Sequence, residues 1–585
     1  MDSKHVTEST SGQEDIQKTW WKEAIIYQIY PRSFQDSDGD GIGDLNGITS
    51  RLDYIQSLGV DIIWLNPIFL SPNDDNGYDI SDYREIMREF GTMEDFDRLL
   101  KEIHKREMRL VLDLVVNHTS DEHPWFEEAR KSRHNPYYNY YHWWPAEKGE
   151  PPLRLSYFDE EGNAWTYNKP TDSYYLHYFS RKQPDLNWEV RQEIFDMMRF
   201  WFDKGIDGFR MDSISLIAKD PSFPLIDSKK YPDIFSFYAK EPRLHLYLHE
   251  MNRQVLSKYD CMSVGEGSAV MVDDVAKFVD PAREELNMLY HFDAARIRNT
   301  TLPDNPESGI DYSLIALKKM FTEWDKAIDK GWPSIYLGNH DQPRMVSRFG
   351  SDKDEFRALS TKMLITFLLT MRGTPYWFAG DEIGMRNIRF DRIEDYNDID
   401  TINRYKKAKA EGKDPQAVLD EQKETGRDNA RTPFQWDRSP EAGFTAGTPW
   451  LKVNPDYTWI NVADEEKDPT SILNYFKKVV SFRKENPSLI YGSYHLLDAE
   501  NPQSYTFLRK TGADTYLIML NFSHKAAIST PGIDMSNAHV LLDNYGDRSH
   551  MAPQKDITLR PFEAIVFQLN HPVYESFIDS LDLLE

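Results

Sequence analysis

The sequence has very little cysteine, since Cys261 is the single thiol in 585 residues. One cysteine cannot form a disulfide within the chain, which excludes a disulfide-stabilised fold and favours a reducing compartment. Long apolar runs are also missing: none approaches the roughly 20 residues of a transmembrane helix, and the first 19 residues are polar, without an apolar signal segment. We therefore predict a cytoplasmic protein without a membrane segment.

Positive charge is scarce relative to negative charge. Lys and Arg number 69 against 96 Asp and Glu, which gives a formal net charge of −27. This balance repels phosphate backbones, and no stripe of Lys and Arg opposes it, so nucleic acid is not a predicted partner. The aromatic content of 13%, with 15 Trp and 32 Tyr, is compatible both with core packing and with platforms for a neutral ligand.

Short β-branched, apolar runs alternate with amphipathic stretches between residues 25 and 379. Such alternation is typical of parallel βα units, and a chain of this length has room for more than one domain. Eight units predict a closed (β/α)8 TIM barrel, an α/β fold whose chemistry lies at the carboxyl ends of its strands. The eight runs are AIIYQIYP, VDIIWLNP, MRLVLDLVVNH, GIDGFRMD, MSVGE, MLYHF, PSIYLGNHD and TPYWFAGDEIG.

Two segments interrupt this alternation. Residues 119–188 are rich in Tyr, Trp, Pro and charge, which predicts a small domain inserted after the third strand, and residues 386–450 form an extended loop after the eighth. From residue 491 the pattern has period two, as in TYLIMLNFS, which predicts a C-terminal antiparallel β-domain. The predicted domains are the barrel (1–118 and 189–490), the insert (119–188) and the C-terminal β-domain (491–585).

Three predicted strands end in carboxylates. GFRMD ends in Asp212, with Arg210 on the same face of the strand, where an arginine would keep the carboxylate ionised. VGE ends in Glu266, whose apolar surroundings would raise its pKa and favour an acid role, and NHD ends in Asp341. Glycoside hydrolysis needs one ionised and one protonated carboxyl group, although a single carboxylate after a barrel strand is more often a helix cap.

The ordered set VVNH, GFRMD, VGE and NHD resembles the four conserved regions of the α-amylase superfamily, glycoside hydrolase family 13. The resemblance spans nearly the whole chain. It implies that Asp212 is the nucleophile of a retaining mechanism, that Glu266 is the general acid and base, and that Asp341 binds sugar hydroxyls. It also implies that His118 of VVNH and His340 of NHD donate hydrogen bonds to the same sugar.

Three further motifs resemble the oligo-1,6-glucosidase subfamily, which includes isomaltases and maltases. QPDLNW begins at Gln183 and resembles the fifth conserved region, while GYD and DNARTPFQW contain Asp79 and Arg431. In that subfamily an Asp–Arg pair caps the non-reducing glucose, so the resemblance implies that Asp79 and Arg431 close one end of the site. An α-glucosidase of this kind removes single glucose units from short α-glucosides by exo-attack.

The residue after the nucleophile, Ser213, bears on linkage preference. In the subfamily, Val at this position accompanies α-1,6 preference, whereas Thr or a small residue accompanies activity on α-1,4 linkages or sucrose. Maltose-like or sucrose-like substrates are therefore favoured, with isomaltose as the alternative.

Two related groups offer different functions. Sucrose isomerases, which make trehalulose or isomaltulose, carry an Arg-rich RLDRD-like loop before NHD, where this chain has ARIRN, and its RFDRI falls after NHD. Heavy chains of amino-acid transporters share the architecture as non-catalytic scaffolds, but they carry a transmembrane helix. Hydrolysis of a small oligosaccharide or disaccharide, by a monomer or homo-oligomer, is the preferred prediction.

DSDGDGIGD spaces carboxylates at alternate positions around glycines, as the first half of an EF-hand calcium loop does. The match then fails, because the twelfth position is Gly47 in place of a bidentate Glu. In the subfamily this loop binds a structural Ca²⁺, with Mg²⁺ as the alternative ion, and an acidic turn without a resident metal is the competing interpretation. No organic cofactor is predicted, and the ligands implied by the resemblance are Asp36, Asp38, Asp40, the Ile42 carbonyl and Asp44.

Overall fold

The computed structural model of the chain describes residues 18–158, 162–227, 229–231, 234–512, 514–549 and 554–569. Residues 1–17 of the polar N-terminal segment and residues 570–585 of the predicted C-terminal domain lie outside this part of the chain. Within it, no helix combines the length and the apolar character that crossing a bilayer requires.

Eight parallel strands form a nearly closed barrel. Their hydrogen-bonded order is β6-β5-β4-β3-β2-β1-β8-β7, so the first strand pairs with the eighth and, in the described chain, the ring opens between β6 and β7. Each strand falls inside one of the eight predicted runs, which confirms the predicted fold class. The strands are β1 Ile26–Ile29, β2 Ile62–Leu65, β3 Arg109–Val115, β4 Gly208–Asp212, β5 Met262–Glu266, β6 Met288–Tyr290, β7 Ser334–Ile335 and β8 Thr374–Phe378.

The barrel strands are buried on both faces, which explains why they are nearly continuous apolar runs. One set of alternating side chains fills the barrel interior, and the other set packs against the surrounding helices. Arg210 on β4 and Asp113 on β3 are charged residues within these strands, each no more than 1% exposed, and Asp212 and Glu266 end β4 and β5. The interior set includes Ile26, Ile62, Trp64, Val111, Met262, Val264, Met288 and Tyr376.

Helices cover the outside of the barrel between successive strands. The first long helix begins at a capping box, in which the Thr92 side chain accepts from the Asp95 N–H and the Asp95 carboxylate accepts from the Thr92 N–H. The long helices are α1 Met93–Lys105, α2 Arg191–Lys204, α3 Pro242–Gln254, α4 Leu314–Ala327, α5 Arg357–Thr370 and α6 Ile472–Glu485. Shorter helices relevant to the site are Leu45–Ser50, Asp293–Thr300, Met345–Phe349, Ile399–Ala410, Pro415–Thr425 and Asp428–Arg431.

The predicted insert contains a small antiparallel sheet of strands Trp143–Pro145, Trp165–Asn168 and Ser173–Leu176, preceded by helix Pro124–Ala129. An isolated bridge between His118 and Asp185 ties the end of the insert to the end of β3. The insert is therefore attached directly beside the carboxyl end of the barrel.

The C-terminal part of the described chain forms a five-stranded antiparallel sheet, in the order β9-β10-β11-β13-β12. Arg509 on β10 is fully buried and donates to the backbone carbonyls of Thr370, Leu489, Ile490 and Gly492, which fastens this sheet to the barrel. The strands are β9 Ser493–Leu497, β10 Ser504–Thr511, β11 Asp514–Asn521, β12 His539–Asp543 and β13 Ala564–Leu569.

Candidate active site

A cavity of about 390 Å³ opens at the carboxyl end of the barrel strands. Its size lies within the range of small-molecule sites, roughly 300–1,000 Å³. Asp212 at the end of β4, Glu266 at the end of β5 and Asp341 six residues after β7 all line it. The three predicted carboxylates thus converge on one cavity.

Arg210 joins two of these carboxylates from below. Its Nη1 donates to Asp212 Oδ1 at 2.8 Å and to Asp113 Oδ1 at 2.6 Å, and its Nη2 donates to Glu266 Oε2. Because a single guanidinium contacts both Asp212 and Glu266, the two carboxyl groups are held side by side. Close spacing is the arrangement that retaining glycosidases need, whereas inverting enzymes leave room for a water between the groups.

Glu266 and Asp341 are driven to opposite protonation states. Burial, reinforced by the nearby Asp212, raises the pKa of Glu266 well above its usual value against the opposing effect of Arg210. Burial would also raise the pKa of Asp341, but His340, Arg427 and Arg431 outweigh it and hold that pKa well below the usual range. The predicted rise for Glu266 is confirmed, and the site combines a protonated carboxyl group with an ionised one.

The two predicted histidines occupy different positions. His118 lines the cavity, and its Nε2–H donates to the Tyr78 carbonyl at 2.8 Å. His340 is fully buried: its Nδ1 accepts from Gln28, and its Nε2 lies 2.6 Å from the Tyr78 hydroxyl and 3.2 Å from Asp341 Oδ2. Unlike His118, His340 does not line the cavity and contacts Asp341 from within the protein, so its predicted hydrogen bond to the sugar stays a prediction.

Ser213 and Gln183 also flank the site. Ser213 lines the cavity in a left-handed conformation with φ 43°, and its N–H donates to Glu266 Oε2 at 3.2 Å. Gln183 lies behind the cavity lining, where its Nε2 donates to Asp75 Oδ2 at 3.2 Å and to the Tyr78 carbonyl at 3.2 Å. Ser213 therefore faces a ligand directly, whereas Gln183 orients a residue that does.

The Asp–Arg pair at the cavity is Asp75 with Arg427, and not the predicted Asp79 with Arg431. Asp75 and Arg427 both line the cavity and form an ion pair at 3.5 Å, and Arg427 also donates to Asp341 Oδ1 at 3.2 Å. We call the set Asp75, Arg427 and Asp341 the glucose end of the cavity. These contacts correct the predicted assignment.

The predicted pair lies one layer deeper. Asp79 is fully buried and accepts from the N–H groups of Asp74 and Asp75 and from the Ser71 hydroxyl, so its carboxylate folds its own loop. Arg431 is 1% exposed and donates to the His340 carbonyl and to Asp341 Oδ1 at 2.9 Å. Both residues stabilise the glucose end without reaching the cavity.

Several cavity residues were not predicted from the sequence. Tyr78 belongs to GYD and lines the cavity, and Asp113, which accepts from Arg210, lies outside the lining; neither was singled out. Arg296 and Arg298 belong to the ARIRN segment, which was considered only as a departure from the isomerase motif. Other lining residues come from separate loops and include Tyr157, Phe158, Phe179, Phe235, Phe292 and Arg348.

The acidic loop after β1 groups three of its four aspartates. Carboxylate oxygens of Asp36, Asp38 and Asp40 lie within 4.8 Å of one another. Burial, with repulsion from the neighbouring Asp38 and Asp36, raises the pKa of Asp40, as expected for carboxylates that share one place. This oxygen-rich set fits a hard divalent cation such as Ca²⁺.

Asp44 also caps the helix that follows the loop. It is the N-cap of helix Leu45–Ser50, accepting from the Gly47 N–H at 2.7 Å and the Ser37 N–H at 2.7 Å. The structure therefore groups Asp36, Asp38 and Asp40, whereas metal binding by Asp44 and by the Ile42 carbonyl stays a prediction.

Comparison with known proteins places this geometry in context. Residues 28–492 match the family model "Alpha amylase, catalytic domain". The chain is 51% identical over 571 residues to an oligo-1,6-glucosidase of Parageobacillus thermoglucosidasius, covering 95% of this chain and 100% of the relative. It is 42% identical to a trehalose-6-phosphate hydrolase of Bacillus subtilis, covering 95% and 99%. Among solved structures, the isomaltulose synthase from Protaminobacter rubrum has a TM-score of 0.90 at 42% identity, covering 95% and 100%.

Proposed function

Because the chain belongs to the α-amylase family of glycoside hydrolases, within its oligo-1,6-glucosidase and α-glucosidase group, we propose that it is a retaining, exo-acting α-glucosidase. It releases glucose from the non-reducing end of short α-glucosides. The observation that carries this proposal is the single guanidinium of Arg210 that contacts both Asp212 and Glu266 beside Asp341.

The three carboxylates have distinct proposed roles. Asp212, ion-paired with Arg210, attacks the anomeric carbon as the glycosidic bond breaks, and Glu266 gives its proton to the leaving oxygen. Glu266, now ionised, takes a proton from the water that cleaves the glucosyl–Asp212 ester, which restores both groups. Two inversions at the anomeric carbon give net retention. The raised pKa of Glu266 supports its acid role, since it keeps the group protonated before substrate binds.

Exo-attack rests on the glucose end. Arg427 links Asp75 and Asp341, and the Gln183 amide orients Asp75 from behind. Charged hydrogen-bonding groups held in this way fit the hydroxyls of one terminal glucose and leave no continuation for a longer chain on that side. The proposal is that a single glucose fits between this end and Glu266.

Maltose-like or sucrose-like substrates are proposed ahead of isomaltose. The small Ser213 side chain leaves more room beside the leaving sugar than a valine would, and its N–H contacts the proposed acid Glu266. The second candidate is sucrose isomerisation. Arg296 and Arg298 of the ARIRN segment favour it, since they line the cavity even though the segment lacks the full isomerase motif.

A product profile tests both functions. The enzyme is incubated separately with maltose, isomaltose, sucrose and trehalose, the sugars are separated by chromatography, and the anomer first released is followed by NMR. Glucose released as the α-anomer supports a retaining hydrolase. Trehalulose or isomaltulose as the main product from sucrose supports an isomerase, and β-glucose as the first product refutes retention.

A structural Ca²⁺ in the acidic loop is also proposed. Asp36, Asp38 and Asp40 would supply carboxylate ligands, and Mg²⁺ is the alternative ion. The ion would neutralise the clustered charge and stiffen the loop, with no part in the chemical step. A cytoplasmic location and the oligomeric state remain predictions.

A further inference from the structure

We propose that the leaving-group side of the cavity is built to bind a phosphate monoester, so that the preferred substrates are α-glucosides whose leaving sugar is phosphorylated. The binding groups are Arg296, Arg298 and Arg348, which we call the arginine wall. This inference rests on the proposed function, because it concerns the group that the α-glucosidase reaction expels.

The arginine wall comes from the loops after β6 and β7. Arg296 and Arg298 lie on helix Asp293–Thr300 after β6, and Arg348 lies on helix Met345–Phe349 after β7. Asp341 of the glucose end also follows β7. Asp75 of the glucose end follows β2, and β6 lies across an eight-stranded barrel from β2. The proposal places the leaving group on the β6 side of the cavity.

Two arginines of this wall carry charge without a matching carboxylate. Arg348 is 6% exposed, and its Nη1 donates to the neutral Gln342 side chain. No carboxylate of the described chain lies within 4 Å of Arg348 or of Arg296, whereas Arg298 is paired with Asp311. Asp311 is also a nearby negative charge for Arg348, but a single carboxylate faces three guanidinium groups, and an arriving anion would balance the excess.

The electrostatics of Arg348 agree with this geometry. Burial, together with the nearby positive Arg298, lowers the pKa of Arg348 to about 10 against the opposing effects of Tyr336 and Asp311. Even so, the group stays protonated at neutral pH. An anion placed between these guanidinium groups would be attracted by both.

The arginines elsewhere in the cavity are neutralised by protein carboxylates. Arg427 is paired with Asp398, Asp75 and Asp341, and Arg404 is paired with Glu421 at 2.6 Å. The excess positive charge is therefore confined to the arginine wall, in a chain whose formal net charge is −27. Such a local reversal of sign indicates that this wall selects a negatively charged group.

Phosphate suits this wall better than a neutral sugar hydroxyl. Guanidinium groups form paired, charge-assisted hydrogen bonds to phosphate oxygens, and those bonds are stronger than bonds to neutral acceptors. Because the arginines come from two loops, they can contact one phosphate from different directions.

Product inhibition gives the direct test. Hydrolysis of p-nitrophenyl α-glucoside is inhibited with glucose, glucose 6-phosphate or glucuronate, and the ratios of the inhibition constants are compared. We expect glucose 6-phosphate to bind about tenfold more tightly than glucose, since a charge-assisted contact is gained. Equal inhibition by glucose and glucose 6-phosphate overturns the proposal, and tightest binding of glucuronate overturns it in favour of a carboxylate site.

Arginine variants locate the effect. Arg348→Gln and Arg296→Gln should each reduce the ratio of the glucose to the glucose 6-phosphate inhibition constant. The double variant should have no preference for glucose 6-phosphate. Arg392→Gln is the matched control, because Arg392 is an exposed arginine paired with Glu394 outside the cavity lining. Arg296 is exposed, so its variant remains informative if the buried Arg348 variant fails to fold. A ratio that survives the Arg296→Gln change, or the double change, refutes the assignment to these residues.

A phosphorylated and an unphosphorylated disaccharide provide a second test. Values of kcat/KM are compared for trehalose and trehalose 6-phosphate, whose leaving groups are glucose and glucose 6-phosphate. A preference of about tenfold or more for the phosphorylated substrate supports the inference. Hydrolysis of p-nitrophenyl α-glucoside without any phosphate preference refutes the inference alone, whereas a wild-type enzyme without α-glucosidase activity on any of these substrates refutes the proposed function.

Discussion

The glucose end and the arginine wall line the same cavity but differ in how their buried charge is balanced. At the glucose end, Arg427 contacts Asp75, Asp341 and Asp398, so each charge has an opposite partner before any ligand arrives. At the arginine wall, Arg348 is buried beside a neutral glutamine. Matched charges fix the shape of a site, whereas unmatched charges leave an electrostatic preference for the ligand to satisfy. Changes at the two places should therefore have different kinetic consequences.

The largest effect is expected between the two regions, at the carboxylates themselves. Asp212→Asn and Glu266→Gln should each lower kcat/KM on maltose by about three orders of magnitude or more, because each removes a group that the reaction consumes and restores. The measurement is glucose release under first-order conditions.

Substrates with different leaving groups distinguish the nucleophile role of Asp212 from the acid role of Glu266. p-Nitrophenol leaves readily without protonation, so the loss in kcat/KM for Glu266→Gln should be smaller on p-nitrophenyl α-glucoside than on maltose. The loss for Asp212→Asn should be equally large on both substrates. If the leaving group makes no difference to the Glu266 variant, the acid role is wrong, and substantial maltose hydrolysis by both variants would refute the whole assignment.

At the glucose end, Arg427→Gln should lower kcat/KM about a hundredfold for all α-glucosides. The expected loss corresponds to a charged hydrogen bond of about 1.5–3 kcal/mol together with the loosening of Asp341. The ratio of glucose to glucose 6-phosphate inhibition constants should stay unchanged, since the arginine wall is intact. A changed ratio would mean that the two regions are coupled.

Asp79→Asn is the comparison variant for the corrected pair. Asp79 accepts three hydrogen bonds inside its loop and does not line the cavity, so its replacement should lower the free energy of unfolding by about 1–3 kcal/mol. Its kcat/KM should fall much less than that of Asp75→Asn at a temperature where both variants are folded. Equal catalytic losses would restore Asp79 to the site.

The pH dependence of kcat/KM should report the titration of Glu266, one of the carboxyl groups that Arg210 contacts. The raised pKa of Glu266 means that the group is protonated, and active as an acid, below that pKa, so kcat/KM on maltose should fall as pH rises through it. The alkaline limb should disappear in Glu266→Gln, which has no proton to lose. A limb of unchanged position in that variant would assign the titration to another group.

The eight strands could be predicted because the apolar pattern of a barrel strand is local and both faces are buried. The convergence of the three carboxylates could be predicted because Asp212 and Glu266 end β4 and β5, although Asp341 lies six residues beyond the end of β7. The Asp–Arg pair could not, because the two candidate aspartates and the two candidate arginines are each four positions apart, and only tertiary packing decides which member faces the cavity. Gln183 donates a hydrogen bond to Asp75 behind the cavity, whereas Asp79 accepts hydrogen bonds from backbone N–H groups of its own loop.

The arginine wall shows the same limit more strongly. Arg296 and Arg298 share the ARIRN segment, but Arg348 lies in a separate loop and forms no motif with them in the sequence. Their common feature, the absence of a carboxylate within 4 Å in the described chain, becomes visible only when the loops after β6 and β7 are brought together. Similarly, the grouping of Asp36, Asp38 and Asp40 could be predicted from their spacing, but the N-cap role of Asp44 depends on the helix that follows.

A smaller effect is expected at Ser213, which lines the cavity beside Glu266. Ser213→Val should shift relative kcat/KM from α-1,4 towards α-1,6 disaccharides by about tenfold, because extra methyl groups narrow the space beside the leaving sugar. The left-handed backbone at φ 43° should also cost a β-branched residue about 1–2 kcal/mol of unfolding free energy. Ser213→Ala is the matched control, since it keeps the space open, and an unchanged maltose to isomaltose ratio in the valine variant would remove Ser213 from the specificity argument.

The smallest effect on catalysis is expected from metal removal, because the acidic loop lies outside both regions. Asp36 accepts from the Thr445 hydroxyl, and the Trp450 N–H donates to the Gly41 carbonyl, so the loop anchors the segment that follows Arg427 and Arg431. Chelation should therefore lower the melting temperature by a few degrees, the shift expected for about 1 kcal/mol in a large chain, while kcat/KM at 25 °C changes less than about twofold. Added Ca²⁺ should reverse the shift in the wild type but not in Asp38→Asn, whose acetamide removes one anionic ligand from the group. If chelation instead abolished activity while the enzyme stayed folded, the ion would belong to the chemistry of the cavity, and the separation between a stabilising loop and two ligand-binding regions would fail.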